Sequence, residues 1–178
     1  MTVLSTDRLT LRRLTMADVD NLVELDSDPE VMRLLTNGTP TPRSVIEREL
    51  PELLAVYDRF PDLGRWAALE NGRFQGWFAL RPDDDATDVE LGYRLRRAAW
   101  GRGLATEGCR ALIRAAFTRW GVRRVFAQTM AVHMASRRVM EKSGLRYLRT
   151  FHLEFEDPID GTEFGEVEYE LRRAAWRG

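Results

Sequence analysis

An α+β domain built around one mixed β-sheet is the fold class that this sequence predicts. Three observations lead to it. Strand-like and helix-like runs alternate in the order β-α-α-β-β-β-α-β-α-β-β, which gives seven strands and about four helices. Asn71-Gly72 separates two alternating runs and favours a type I′ turn, so the strands on either side form an antiparallel hairpin. The two strand-like runs flanking a helical stretch at about 102–120 read as a right-handed βαβ unit, so those two strands are parallel within a mostly antiparallel sheet.

The elements follow in order. "RLTLRRL" at 8–14 alternates apolar and polar residues as a strand does. Thr15 opens a capping-box-like "TMAD", and Val19, Leu22, Val23 and Leu25 continue it as a helical stripe. "SDPE" and "TNGTPTP" read as loops around a short apolar turn from Val31 to Leu35. Thr41-Pro42 is an N-cap plus first-turn pair for a helix over roughly 42–59. The hairpin "RWAALE" and "RFQGWFAL" comes next, then the acidic loop "RPDDDATD" and the alternating run "VELGYRL". After the 102–120 helix come a strand at 123–130 and a helix at about 134–143 that Gly144 ends as its C′ residue. Two strands, roughly 145–155 and 164–172, close the chain.

With 178 residues, no repeat and no linker, residues 1–178 read as a single domain. A net charge of −1 gives no basic field for nucleic acid, although all but one of the 27 basic residues are arginine. Cys109 is the single cysteine, which excludes an intrachain disulfide. Together with only two histidines it leaves no zinc site to assemble, so no metal is expected. No run is apolar enough to span a membrane and the first residues lack a signal-peptide pattern, so a cytoplasmic protein is the expectation.

The stretch with the most chemistry is "AAWGRGLATEG" at 98–108, a Gly-x-Gly between a strand and a helix. A helix start leaves four backbone N–H groups without partners and carries partial positive charge, and glycines let an oxyanion approach the chain. Arg96, Arg97 and Arg102 add charge suited to phosphates. The Walker spacing and its lysine are missing, and Thr106 stands where a dinucleotide fingerprint needs its third glycine. A pyrophosphate loop for an acyl-CoA and a plain strand-to-helix turn both remain.

The second segment is "HMASRRVMEKSGL" at 133–145, which opens the next helix. In this order and spacing the two segments resemble the GNAT superfamily of acetyl-CoA-dependent N-acetyltransferases. Trp100-x-x-Gly103-x-Ala105 is similar to that family's [Q/R]-x-x-G-x-[G/A] pyrophosphate motif, and Glu141, Lys142, Gly144 and Leu145 match its second motif. The opening "LSTDRLTLRRLTMADVDNLVELDSDPEVMRLL", with "WGRGLATEG", resembles the ribosomal-protein N-terminal acetyltransferase (RimJ/RimL-like) branch, so the resemblance covers essentially the whole chain.

The resemblance implies a seven-stranded sheet whose central parallel pair splays. Acetyl-CoA would lie in the split, its pantetheine against Tyr93 to Leu95 and its diphosphate on the loop of Gly101, Arg102, Gly103, Leu104, Ala105 and Thr106. Arg97, Trp100 and His133 complete the implied donor site, His133 standing where the family usually has Asn and Trp100 where it has Gln or Arg. The reaction implied is direct transfer to a primary amine, so Cys109 need not be a nucleophile. Met140 stands at the position of the usual thiolate-protonating tyrosine and cannot donate a proton; in this branch the serine four residues earlier, Ser136, is the substitute acid. Ser136 can equally be an ordinary first-turn helix serine.

Glu90 matches a position that carries a carboxylate in several members and is the candidate base, with Glu154, Glu166 and Glu168 as rivals. Alternation places Glu90 opposite Val89, Leu91 and Tyr93, which also suits a merely exposed residue. Residues 154–170 hold eight acids and no base, either a field that favours a cationic amine or a solvated strand face. The acceptor implied by the branch is a protein or peptide N-terminus; a small-molecule amine or polyamine is the alternative, and the loops 31–42 and 156–165 would choose between them. Members of the branch often pair, which allows a homodimer. Because Met140 and His133 depart from the pattern, a catalytically weak acyl-CoA-binding sensor is the reading from another class.

Overall fold

The computed structural model describes residues 2–178. Its strands are β1 (Thr2–Ser5), β2 (Thr10–Arg13), β3 (Gly64–Glu70), β4 (Arg73–Pro82), β5 (Asp88–Leu95), β6 (Arg124–Met130), β7 (Arg146–Phe151) and β8 (Glu166–Arg172). Its helices are α1 (Val19–Asp26), α2 (Pro29–Thr36), α3 (Arg43–Arg59), α4 (Leu104–Thr118) and α5 (Met134–Lys142). The strands form one sheet in the order β1-β2-β3-β4-β5-β6-β8-β7, in which β5 and β6 are parallel and every other neighbouring pair is antiparallel.

The α+β class, the mixed sheet and the parallel pair are as expected, while the counts need correcting. The described residues form eight strands rather than seven, because β1 folds back onto β2. They form five α-helices rather than about four, because the short apolar turn expected from Val31 to Leu35 is part of α2. Asp28 caps α2 by accepting from the Glu30 N–H at 2.9 Å, and Pro29 occupies its first turn. The "SDPE" taken for a loop is therefore a helix start. The strand expected over 145–155 stops at Phe151, whose ladder partner Glu166 is the first residue of β8. Beyond it, residues 152–155 pair with no strand among the described residues.

Both faces of the sheet are covered where they carry the core. On one face Trp66, Phe78, Leu91, Val125 and Tyr169 pack under α4 and α5. Gly108 of α4 lies so close to the sheet that a Cβ there would sit 2.3 Å from Cζ of Phe78. On the other, Ala67, Phe74, Trp77 and Ala79 of β3 and β4 pack against Leu22 and Leu25 of α1 and Ile46 and Leu50 of α3. Asn71 and Gly72 take the positive φ values of 50° and 76° that the hairpin turn needs. In β4 the register with β3 shifts so that Gln75 is extra, and Gly76 (φ 140°) runs so near β5 that a Cβ would meet the Arg94 carbonyl at 2.1 Å. The sheet thus bends beside the end of β5, where the glycine loop begins.

Candidate functional site

Parallel pairing between β5 and β6 is short. It runs through Asp88↔Arg124, Val89↔Val125 and Glu90↔Phe126 and stops, leaving Leu91–Leu95 without a β6 partner. A sheet interior that leaves backbone polar groups unpaired needs another donor and acceptor there. The split is the expected V between the two parallel strands, and it opens towards the glycine loop.

In that loop Gly101 and Gly103 adopt φ values of 70° and 79°, a left-handed geometry that glycine takes without strain. A Cβ on Gly101 would meet nothing within 4 Å, and one on Gly103 only Arg8 Nη2 at 3.5 Å. α4 starts at Leu104 without a side-chain cap, and the first bond of the turn is Glu107 N–H to the Gly103 carbonyl. Among the described residues, the N–H groups of Gly101 to Thr106 find no hydrogen-bond acceptor. Glycine-opened space, a helix N-terminus and a run of idle donors fit a diphosphate.

Side chains secure this loop from outside rather than reaching into it. Arg102 makes a bidentate pair with Glu70 at 2.7 and 2.9 Å, Arg96 bonds to Glu24 at 2.8 Å, and Arg97 lies 3.5 Å from Asp28. Arg8 bridges Glu107 and the Arg102 carbonyl. The Trp100 indole donates to the Leu95 carbonyl at 2.9 Å, which fastens the loop to the end of β5. Leu95 and Leu104 point into the core. Of the thirteen residues named from sequence, the glycine loop contributes chiefly its backbone.

Across the split, Tyr93 of β5 reaches α5. Its hydroxyl lies 2.8 Å from Ser136 Oγ and 3.1 Å from the Ser136 carbonyl, and burial keeps the phenol protonated. Ser136 is itself buried. Sequence reasoning used Tyr93 only for its backbone. Its side-chain partner is 43 residues away, and only the alternation that aims Tyr93 at the α5 face could have hinted at it. Met140 is in the core, and Cys109, fully buried with its thiol pushed up by desolvation, is packing. His133 stands at the N-cap position of α5 without capping it; Nδ1 is 3.2 Å from Thr129 Oγ1. Burial lowers its pKa and the Arg33 guanidinium of α2 adds to this, so the ring is neutral at neutral pH.

The candidate carboxylates separate clearly. Glu90 sits at the last parallel pair, where the split begins, and forms an ion pair with Arg81 at 2.6 Å. Glu168 is no solvated residue: it is buried and held by Arg124 at 2.5 Å and Arg149 at 2.8 Å. Burial would raise its pKa, but hydrogen bonds from Arg149, Gln128 and Arg124 hold it below the carboxylate range. Glu170 is likewise bound by Arg124 and Arg172. Two of the eight acids of this segment, Glu168 and Glu170, are therefore neutralised by arginines that sequence reasoning did not connect to it. Glu166 has no ion pair among the described residues, and desolvation raises its pKa. Glu154 is exposed.

The two loops expected to select the acceptor meet. The Asp160 N–H donates to Asn37 Oδ1 at 3.1 Å, which joins the end of α2 to the 152–165 loop. That loop carries the exposed side chains Leu153, Phe155 and Phe164. His152, Leu153, Phe155 and Ile159 border a hollow of ≈ 550 Å³ beside it. Among the described residues no helix is long and apolar enough to cross a membrane, and no group of three metal-ligating side chains is assembled.

Comparison with known proteins agrees with this geometry. A family profile described as "Acetyltransferase (GNAT) domain" matches residues 8–146. The FsC-acetyl coenzyme A-N(2)-transacetylase of Aspergillus fumigatus is 35% identical over 181 residues, which cover 97% of this chain and 77% of that protein. Among solved structures, the RimL ribosomal L7/L12 alpha-N-protein acetyltransferase in complex with coenzyme A aligns with a TM-score of 0.82 at 14% identity, over 97% of this chain and 98% of that one. The aminoglycoside acetyltransferase AAC(6')-Ib in complex with coenzyme A aligns with a TM-score of 0.75 at 17% identity, over 94% of this chain and 96% of that one. At such identities the two structures speak for the fold.

Proposed function

The chain belongs to the GNAT acetyltransferase family and takes acetyl-CoA as acyl donor, and on that premise we propose that it acetylates a primary amine of a small molecule directly. The observation that carries the transferase half is the split beside a loop of idle backbone donors. For the acceptor, support comes from the relative that is 35% identical and named for N(2)-transacetylation. The Asn37–Asp160 bond adds to it, because a rim joined across the acceptor loops leaves less room for an extended peptide.

The roles follow from position. Backbone N–H groups of Gly101, Arg102, Gly103, Leu104, Ala105 and Thr106 hold the diphosphate, and the free edge of β5 from Leu91 through Tyr93 to Leu95 offers its backbone to pantetheine. Trp100 and Arg97 keep the loop on β5 and on Asp28, and His133 closes the far side at the start of α5. Acetyl transfer needs a deprotonated amine, a stabilised oxyanion and a protonated leaving thiolate. Glu90, at the fork of the split, removes the amine proton in this reading. The Ser136 hydroxyl, oriented by Tyr93, gives a proton to the thiolate. A second base has a specific observation in its favour, since burial raises the pKa of Glu166 and makes its carboxylate a stronger proton acceptor than an ordinary glutamate.

The test is thiol release from acetyl-CoA with the purified protein against small amines and peptide N-termini, with products identified by mass. Turnover of small amines with little on peptides is the expected result. Turnover confined to peptide N-termini would establish the peptide acceptor instead. Acetyl-CoA binding without turnover on any amine would leave a sensor.

A further inference from the structure

Arg65, at the start of β3, has no ion-pair partner of its own among the described residues, and the nearby Asp26 is already paired to Arg94. Its guanidinium lies over the Trp77 indole, 4.0 Å from the ring centroid. Among the described residues no carboxylate comes within 4.0 Å of it, whereas its two basic neighbours are matched, Arg94 to Asp26 and Arg81 to Glu90, each at 2.6 Å. Burial, then the nearby charges of Arg94 and Arg81, push its pKa down to about 10. At neutral pH it still holds its proton. A half-buried cation set against an indole face and two more cations, with only the fields of Asp26, itself paired to Arg94, and of Tyr57 in its favour, is costly to keep.

Strand register shows what this charge faces. Arg65 is opposite Ala79, and Ala79 is opposite Gly92. Between the Arg65 backbone and β5, two interstrand steps of about 9–10 Å in all, Ala79 is buried and the small residue Gly92 leaves room for the edge of the Trp77 indole, whose Cζ3 falls 3.7 Å from where a Cβ would be. Gly92 lies two residues beyond Glu90, in the stretch of β5 that β6 leaves unpaired. The cation therefore shares its face of the sheet with Glu90, and the Trp77 indole it lies over reaches across to Gly92, beside the fork.

We propose that Arg65 anchors an anionic group, a carboxylate or a phosphate monoester, carried by the amine acceptor itself. The acceptor is then amphoteric: its amine is placed at Glu90 and its anion two strands away on the guanidinium. This deepens, and rests on, the acceptor cleft assigned above. It also runs against the simplest reading of the acidic segment, which would attract an acceptor carrying positive charge alone.

The test compares matched acceptors by thiol release: an amino acid with its amide, and phosphoethanolamine with ethanolamine. Wild-type protein is expected to prefer the anionic member of one pair by about 10- to 100-fold in kcat/KM, the range of a lost charge-assisted hydrogen bond. The pair that shows the preference tells carboxylate from phosphate. Arg65→Gln should abolish it and Arg65→Lys retain part of it. The indole N–H resonance of Trp77, followed during titration with inorganic phosphate, needs no turnover. It should move in wild type and stay fixed in Arg65→Gln. Equal turnover of both members of each pair overturns the proposal, as does an indole shift that persists in Arg65→Gln. If the indole responds as expected but no amine is acetylated, the anion site stands and the transfer reading falls.

Discussion

Replacing Gly103 by alanine separates what the glycine loop does for the donor from what it does for the fold. Gly103 has φ 79° and ψ 2°, and an L-residue in that region costs about 1–2 kcal/mol. Steric crowding adds little, since the nearest neighbour of the new methyl is the end of Arg8 at 3.5 Å. The melting temperature should fall by about 2–8 °C for a chain of this size. If the loop relieves the strain by rotating φ to negative values, the N–H groups of Gly103 and Leu104 turn away from the diphosphate. Losing one hydrogen bond to a charged group costs about 1.5–3 kcal/mol, or about 10- to 150-fold in Kd. Gly72 provides the control. Its φ is 76°, a methyl there would meet nothing within 4 Å, and it sits in the β3–β4 hairpin. Gly72→Ala should therefore lose similar stability and bind acetyl-CoA normally. Calorimetric titration of acetyl-CoA, with the acceptor KM measured alongside, distinguishes the two. Equal Kd values for the two variants would refute the assignment of the loop to the diphosphate.

Three further outcomes follow from the same geometry. Tyr93→Phe removes the partner of Ser136 Oγ and should cost about 1 kcal/mol of stability while lowering kcat and sparing the KM for acetyl-CoA; an unchanged kcat would show that Ser136 needs no such support. Gly108→Ala drives a methyl to 2.3 Å from Phe78 and should cost about 1–3 kcal/mol in chemical denaturation, with Phe78→Leu restoring part of it; a neutral Gly108→Ala would mean that α4 rides further from the sheet. Glu166 has a folded pKa raised above its unfolded value, so its ionised form weakens the fold at neutral pH. Glu166→Gln should accordingly stabilise the protein at pH 7, with the gain fading as pH falls below the ordinary glutamate range. With Glu90 as base, the acid limb of the pH–rate profile survives Glu166→Gln, and its collapse would transfer that role to Glu166.

The backbone geometry around the glycine loop was legible because it is written locally. Two glycines spaced for a left-handed turn, a helix beginning at the next residue and an Asn-Gly hairpin each declare themselves within a few residues. The parallel β5–β6 pair followed from crossover handedness alone. What escaped depends on distant partners or on ambiguous short signals. Pro29 reads as a loop residue or as a helix start, and only the Asp28 cap settles it. Strand length at 145–155 depended on where β8 begins, which periodicity does not encode. Glu168 and Glu170 alternate as exposed residues would, yet Arg124 and Arg149 cover them. The Tyr93–Ser136 contact joins a strand to a helix 43 residues on, and Arg65 became informative only once its lack of a carboxylate could be seen.

Those arginine contacts also explain how a sheet tolerates being split at its centre. Once pairing stops at Glu90↔Phe126, the ladder bonds that would tie the two halves together are missing along the rest of β5. Arg124 sits two residues below that stop, and its guanidinium holds Asp88 of β5 at 3.1 Å and Glu168 and Glu170 of β8 at 2.5 Å. One side chain thus clamps three adjacent strands beneath the fork, with a planar set of donors that a lysine lacks. Above the fork the Tyr93–Ser136 contact makes the only polar side-chain link from β5 to α5 among the described residues. An arginine-rich composition is, on its face, a neutral feature of the sequence. At Arg124 it becomes a structural requirement, because an open split can receive a ligand only if its base does not unzip.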